Sequence, residues 1–404
     1  MYNITVMSKE NLSRREFIGG VSAFTGLAAG DCLGLPAADG RTYSVAVLGD
    51  LHYDTAPDTV YHAKFIELFR AAKKHPARFK EFVRNAKMWA GPSRRLLAAS
   101  GACATGDTAL VLQMGDLIQG DCNDFTVHRR MLDETAARMK AAYPSRLPFV
   151  TTCGNHDVRE GGKGRDLAAT PVYSEFARDF HCKELGSRVR GAIDASTFAF
   201  RQGPDLYVAL DFNCAIDHVP LVKKILEANK GVRHTFVLSH GGVFPFDCWG
   251  CRWFYLGGVS ESHKGMKPHK DADRLRREMR ALLAARNAIV LCGHTHHLEL
   301  KDAKFPEGTI TEVTMNSVPC QSKGPDLPGE PQVVREGAAA YGATDWVKKD
   351  PPIAALFDEY RPYMTRYYLA NAAGHARLRV SDEGVWFDYY GRAAVSPTKT
   401  FRLR

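Results

Sequence analysis

The residues able to do chemistry stand in five short clusters: Asp50 with His52, Asp116, Asn155 with His156 and Asp157, His240, and His294 with His296. Each cluster follows an apolar run. An isolated carboxylate or unpaired imidazole is costly to bury at the end of a core segment, so such residues become favourable together only around cations. Carboxylate oxygen and imidazole nitrogen, with no thiolate, suit a divalent ion such as Mn, Fe, Zn or Co. Two such ions about 3.5–4 Å apart need one ligand in common; together they polarise phosphoryl oxygens and lower the pKa of a water. An additional imidazole could protonate the departing oxygen. Taken singly, Asp50 reads equally well as a turn residue, His240 as a loop histidine and Asn155 as a turn former beside Gly154. Five clusters in succession make coincidence the poorer reading.

The elements that must position these residues are legible as short β-type runs alternating with longer helical ones. Strands are predicted over Tyr43–Leu48, Ala109–Met114, Leu147–Thr152, Leu206–Phe212, Thr235–Leu238 and Ala288–Cys292. Helices are predicted over Lys64–Met88, Asp124–Ala142, Pro220–Asn229 and Asp271–Arg286. Towards the C-terminus, Thr309–Ser317, Ala376–Val380 and Gly384–Tyr390 read as antiparallel strands, and Pro319–Pro352 reads as a long irregular excursion. Only an α/β sheet architecture brings five strand ends together.

In kind and order the blocks D-x-H (50–52), G-D (115–116), G-N-H-D (154–157), a lone His240 before glycines, and G-H-x-H (293–296) resemble the signature blocks of the calcineurin-like metallophosphoesterases. The resemblance spans about residues 45–300. It implies a four-layer α/β/β/α sandwich of two mixed sheets, with two divalent metal ions at the sheet edge. Carried over by position, Asp50, His52 and His296 would hold the first ion, Asn155, His240 and His294 the second, and Asp116 would bridge them. His156 would face the substrate phosphate as proton donor, with Asp157 orienting its ring. Two departures matter: Gln119 stands where many relatives carry an acidic residue or Asn, and no Tyr follows Asp116 at the spacing of an iron–tyrosinate site. Arg159 only loosely matches an arginine that protein phosphatases carry beside this block.

The activity implied is hydrolysis of a small organic phosphate ester. The Asp54–Met88 insertion, the Gly161–Arg165 loop and the Trp249–Trp253 segment are candidate walls of the site. Trp249, Trp253, Phe254 and Tyr255 could stack on a ring, which favours a phosphodiester. Phosphomonoesterase or protein phosphatase activity on the same core is the alternative, and a metal-binding interaction module without turnover is a second. Cys248 and Cys251 read as a loop disulfide or two free thiols rather than a redox pair, because no thioredoxin-like pattern frames them.

The formal charge of +9 over 404 residues favours anionic small molecules in a general way. No nucleic acid is expected, since the densest basic run, Arg274, Arg276, Arg277 and Arg280, reads as the solvated face of a helix. Ten cysteines are too few for a disulfide scaffold, and Cys103, Cys153 and Cys292 read as small buried thiols. Ser13-Arg14-Arg15-Glu16-Phe17-Ile18, before a Gly- and Ala-rich apolar stretch, resembles a twin-arginine export signal. It implies the twin-arginine export machinery as a partner and a periplasmic or secreted location. The apolar stretch is too short and too glycine-rich for a stable membrane span. The expected division is an export signal over 1–38, a catalytic domain over 42–320, and an extension over 321–404 whose antiparallel strands pack on the same domain.

Overall fold

The computed structural model describes residues 41–53, 91–120, 124–159, 169–194, 197–211, 217–246, 271–319 and 326–404. All belong to a compact unit spanning Pro36–Arg404. The export signal, the 64–88 helix, the 161–165 loop, Cys248 with Cys251, and the aromatic residues 249–255 lie outside the described residues.

Two mixed sheets form the middle of the unit. In the first, β1 (Tyr43–Leu48), β2 (Thr108–Gln113) and β3 (Phe149–Thr151) run parallel. Beside β1 the sheet continues antiparallel through β13 (Gly374–Ser381), β14 (Gly384–Gly391) and β15 (Lys399–Arg402). The second sheet has the order β11-β12-β9-β10-β8-β7-β6-β5-β4. Its parallel centre is β6 (Asp205–Ala209), β7 (Thr235–Leu238), β8 (Ile289–Cys292) and β10 (Gly308–Thr314). Antiparallel flanks are β4 (Val189–Asp194) with β5 (Thr197–Gln202), and β9 (Leu298–Phe305) with β11 (Gln332–Glu336) and β12 (Met364–Asn371).

The two-residue period of a strand decides which face each side chain joins. Val45, Val47, Leu110 and Leu112 point between the sheets and meet Phe236, Leu238, Leu291 and Val313 of the second. Ala46, Leu48 and Val111 point the other way, onto α1 (Pro92–Ala102), α2 (Phe125–Ala141) and α3 (Thr170–Leu185), through Leu96, Met131, Met139 and Phe176. Val208, Val237 and Val290 turn outward onto α4 (Val219–Ala228), α5 (Ala272–Ala284) and a later helix, α7 (Pro351–Tyr360), which follows the short α6 (Asp345–Lys348). The result is the four-layer α/β/β/α sandwich. Strands covered on both faces read as continuous apolar runs. Each fully buried Val or Leu in them contributes roughly 1.5–3 kcal/mol. Asp124 starts α2 by accepting the Val127 N–H at 3.0 Å, and Arg138 and Lys140 in the last turn face the negative end of the helix dipole.

Three expectations need correction. The stretch 319–352 is less irregular than its Gly and Pro content suggested, since it contains β11 and α6. Arg276 is not on a solvated face: it is buried, pairs with the Glu359 carboxylate at 2.7 and 2.9 Å, and donates to Tyr360 Oη. Cys153 and Cys292 are buried, but Cys103 is partly exposed. No helix among the described residues is long and apolar enough to cross a membrane.

Candidate metal centre

All five clusters lie on loops at the C-terminal ends of parallel strands: Asp50 and His52 after β1, Asp116 after β2, residues 155–157 after β3, His240 after β7, and His294 and His296 after β8. Parallel pairing places these ends on one edge of the sandwich. The glycines in the blocks are required by close approach. A Cβ on Gly154 would lie 2.2 Å from Asp116 Oδ1, and one on Gly293 would lie 2.4 Å from Asp50 Oδ1. Of the described non-glycine residues with positive φ, four belong to the clusters: His52, Asp116, His294 and His296. Such backbone costs energy, and it concentrates at functional sites where surrounding structure enforces it.

The side chains converge. His240 Nε2 lies 3.1 Å from Asp116 Oδ2, 3.2 Å from Asn155 Oδ1 and 3.1 Å from His294 Nδ1. His52 Nε2 is 3.4 Å from the same Asp116 oxygen and 2.9 Å from His296 Nε2. Asp50 accepts the His294 N–H at 2.8 Å and lies 3.3 Å from His240 Nδ1 and 3.5 Å from His296 Nε2. Among the described residues, two sets of ligand atoms fall within 4.8 Å of one another: His52, Asp116 and His156, and Asp116, His240 and His294. Asp116 is common to both. His240 Nδ1 faces the Met114 carbonyl at 2.8 Å, which turns Nε2 towards the other ligands, where a cation would take the place of its proton, the usual orientation of a metal-bound histidine. Ring nitrogens aimed at ring nitrogens, with carboxylates among them, form a donor set that fits divalent cations.

The electrostatics follow from burial. Desolvation pushes His52 down to about 4 and holds His156, His294 and His296 well below the ordinary imidazole range, so these rings are neutral. Burial acts on His240 too, but the Asp116 and Asp50 carboxylates outweigh it and raise the ring to about 9. Asp116 also resists burial, through His240, His156 and His52, and stays ionised. Desolvation, aided by the Asp116 charge, lifts Asp157 to about 7.

Asp157, which the resemblance casts as orienting the His156 ring, bonds to backbone amides. Its carboxylate accepts the backbone N–H of Ile118 at 3.0 Å and of Gly154 at 2.9 Å, tying the loops after β2 and β3 together. His156 Nδ1 instead meets the Gln119 carbonyl at 2.9 Å and Arg159 Nη2 at 2.8 Å. Gln119 thus reaches the site through its carbonyl, while its side chain bonds to His52. His297 is buried, with Nδ1 on the Thr295 carbonyl.

Sequence reasoning missed the residues that hold the loops. His128 Nε2 bonds the Asp157 carbonyl at 2.7 Å. Ser317 Oγ accepts the Gly49 N–H at 2.9 Å and donates to the Gly374 carbonyl at 2.7 Å, so a strand near the C-terminus steadies the loop that carries Asp50. Glu312 on β10 accepts the N–H groups of Val243 and Phe244, just beyond His240, and is paired with Lys301 at 2.9 Å. A charged residue between Thr311 and Val313, inside a predicted strand, is the signal that could have marked Glu312.

The fold and this centre define a metal-dependent phosphoesterase architecture. The chain belongs to the calcineurin-like phosphoesterase family, whose model matches residues 43–298. No curated protein matches it. Among solved structures it is similar to one described as PhoD, at 13% identity and a TM-score of 0.47, covering 91% of this chain and 69% of that one. It is also similar to GAP50, described as the anchor in the inner membrane complex of Plasmodium, at 10% identity and a TM-score of 0.42, covering 90% and 89%.

Proposed function

We propose that the chain is an exported phosphoesterase dependent on two divalent ions, acting on a small organic phosphate ester, with a phosphodiester favoured. The observation that carries this reading is Asp116, one carboxylate shared by two ligand sets. Asp50, His52 and His296 would hold one ion and Asn155, His240 and His294 the other, with Asp116 between. Bound there, the cations would polarise the phosphoryl oxygens and lower the pKa of a water. Asp116 is aimed by the His156 N–H, which donates to Oδ1 at 2.8 Å and leaves Oδ2 towards His52 and His240. His156 would act through Nε2, because Nδ1 is engaged by Gln119 and Arg159. Burial and the neighbouring Arg159 favour the neutral ring, while Asp116 and the Gln119 carbonyl favour the protonated one that would donate. Asp157 serves by fixing backbone. The export half of the reading rests on Arg14 and Arg15; conversion of both to Lys should retain the chain in the cytoplasm.

The test is metal analysis together with hydrolysis of a chromogenic phosphodiester and monoester, with and without chelator. Chelator-sensitive hydrolysis, faster on the diester, is expected. Metal binding without turnover of either ester would overturn the enzymatic reading in favour of an interaction module. His156→Ala should keep both metals and lower kcat by about 10²–10⁴ for a poor leaving group, recovering most of the rate with nitrophenolate. Loss of a metal would instead make His156 a ligand, as its place beside His52 and Asp116 permits.

A further inference from the structure

Gln113, the last residue of β2, is fully buried and has no role in the reading above. Its amide uses all of its hydrogen-bonding capacity. Nε2 donates to the Gly49 carbonyl at 3.0 Å and to the Gly115 carbonyl at 2.6 Å, while Oε1 accepts from the Gly115 N–H at 3.2 Å and from Thr151 Oγ1. The orientation follows from the partners. Turned over, the amide oxygen would face two carbonyl oxygens and its NH₂ would face a backbone N–H. Its own backbone carbonyl also accepts the Thr152 N–H at 3.1 Å.

Two of these partners stand immediately before a metal-type ligand, and the third, Thr151, is the last residue of β3, four positions before Asn155. Gly49 precedes Asp50, Gly115 precedes Asp116, and Thr151 opens the segment that reaches Asn155 and His156. We propose that Gln113 is a positioning residue that straps the ends of β1, β2 and β3 into one register, so that Asp50, Asp116 and Asn155 arrive together at the cation pair. This rests on the metal-centre reading of the preceding section. Burying an amide in an otherwise apolar strand is costly unless every hydrogen bond is made, and here each bond made is also one that locks a ligand-bearing loop. An apolar residue would fill the same space and leave the carbonyls of Gly49 and Gly115 without this donor.

Three measurements on the whole protein decide it: Mn²⁺ affinity by titration, kcat and KM on the better of the two chromogenic esters, and amide hydrogen exchange without metal. Gln113→Met should weaken Mn²⁺ binding and lower kcat about 10–100-fold, as loss of a residue supporting metal ligands does, with KM little changed. Exchange should quicken at residues 49–52, 115–119 and 152–157 together, and not at Tyr43 or Asp205. Gln113→Glu, which keeps the shape but sets a carboxylate against two carbonyls, should do at least as much damage. If Gln113→Met does not fold, Thr151→Val decides: it deletes one of the four bonds and should cost roughly 3–10-fold in Mn²⁺ affinity. Mn²⁺ affinity within twofold of the parent, or exchange changed on β2 alone, overturns the strap. A parent chain that binds Mn²⁺ yet hydrolyses neither ester would sink the phosphoesterase reading while affinity and exchange still judged Gln113.

Discussion

The sandwich carries a buried polar network at each end of its strands, and the two are built on opposite principles. At the N-terminal end, Asp205 at the start of β6 accepts from Arg233 Nε at 3.0 Å and Nη2 at 2.5 Å, from the His234 N–H at 3.0 Å, and from Tyr43 of β1 at 2.7 Å; Tyr43 also meets Tyr207 at 2.9 Å. Arg233 also pairs with Asp382 at 2.7 Å, so the cation sits between two carboxylates, and the remaining partners of Asp205 are hydrogen-bond donors. In that network donors face acceptors, and it joins the two sheets. At the C-terminal end, Asp50 and Asp116 sit among five imidazoles, and nitrogens point at nitrogens: His52 at His296, and His240 at His294. Cations placed among these nitrogens and carboxylates would be ligated by all of them at once. A buried network that balances internally holds a fold together; one whose lone pairs converge is built to bind.

The sharpest way to break this contrast is to alter Asp116. Asp116→Ala should reduce bound metal at both positions and lower kcat/KM by about 10³, equivalent to about 4 kcal/mol of barrier. A variant that keeps two metals per chain, as measured by elemental analysis, together with full activity would remove the distinction between the two ends. Lys301 stands between the cases, because its pairs with Glu299 at 2.8 Å and Glu312 at 2.9 Å are fully buried, yet Glu312 also anchors the loop beyond His240. Lys301→Met strands two buried carboxylates and should cost about 3–5 kcal/mol in urea unfolding. The surviving folded molecules should bind metal more weakly. Arg233→Met, at the N-terminal end, should cost about 3 kcal/mol, the lower part of the range for a broken buried pair, because Tyr43 and His234 still donate to Asp205. Its activity per folded molecule should match the parent, and a kcat change of tenfold would show that the two ends are coupled.

The readable parts of this protein were those in which local pattern and final position coincide. Val45, Val47, Leu110 and Leu112 announce strands buried on both faces, and a ligand placed directly after such a run sits at the strand end whatever the rest of the chain does. Parallel order then gathers the ends. What could not be read depends on partners distant in sequence. Gln113 interrupts an apolar run with no local hint that Gly49 and Thr151 will flank it. Arg276 looks solvated until Glu359 is packed against it, and Ser317 becomes relevant only because β10 and β13 meet the loop after β1. Adjacency to His156 suggests a ring contact for Asp157, whereas its carboxylate accepts two backbone amides that sequence alone does not reveal. The stretch 319–352 hid β11 because an edge strand needs little apolar pattern: Val333 and Val334 remain exposed.

The smallest effect separates burial as such from the binding geometry. His181 on α3 is buried like the site imidazoles and desolvation depresses it likewise, to about 3, but its Nε2 accepts the Thr151 N–H at 3.2 Å rather than facing another nitrogen. The neutral ring is the one that folds. Between about pH 3 and the unfolded value near 6.5 the unfolded chain therefore binds the extra proton, so stability rises with pH across that window. The contribution is complete above about pH 6.5 and is lost progressively as pH falls towards 3. At pH 5 the loss from this one ring is about 1.5 pH units at 1.36 kcal/mol each, or about 2 kcal/mol. His181→Phe removes the titration at the cost of the Thr151 hydrogen bond, about 1–3 kcal/mol at pH 8. The stability gap between parent and variant, from urea unfolding, should therefore shrink by about 2 kcal/mol on going from pH 8 to pH 5, and should do so equally with chelator or saturating Mn²⁺. The site histidines differ in that cations compete with protons for the same nitrogens, so their share of the acid sensitivity must change with metal. A gap that stays constant with pH would show that burial at His181 does not set its titration. A gap that depends on Mn²⁺ would show that this ring belongs with the binding end of the molecule.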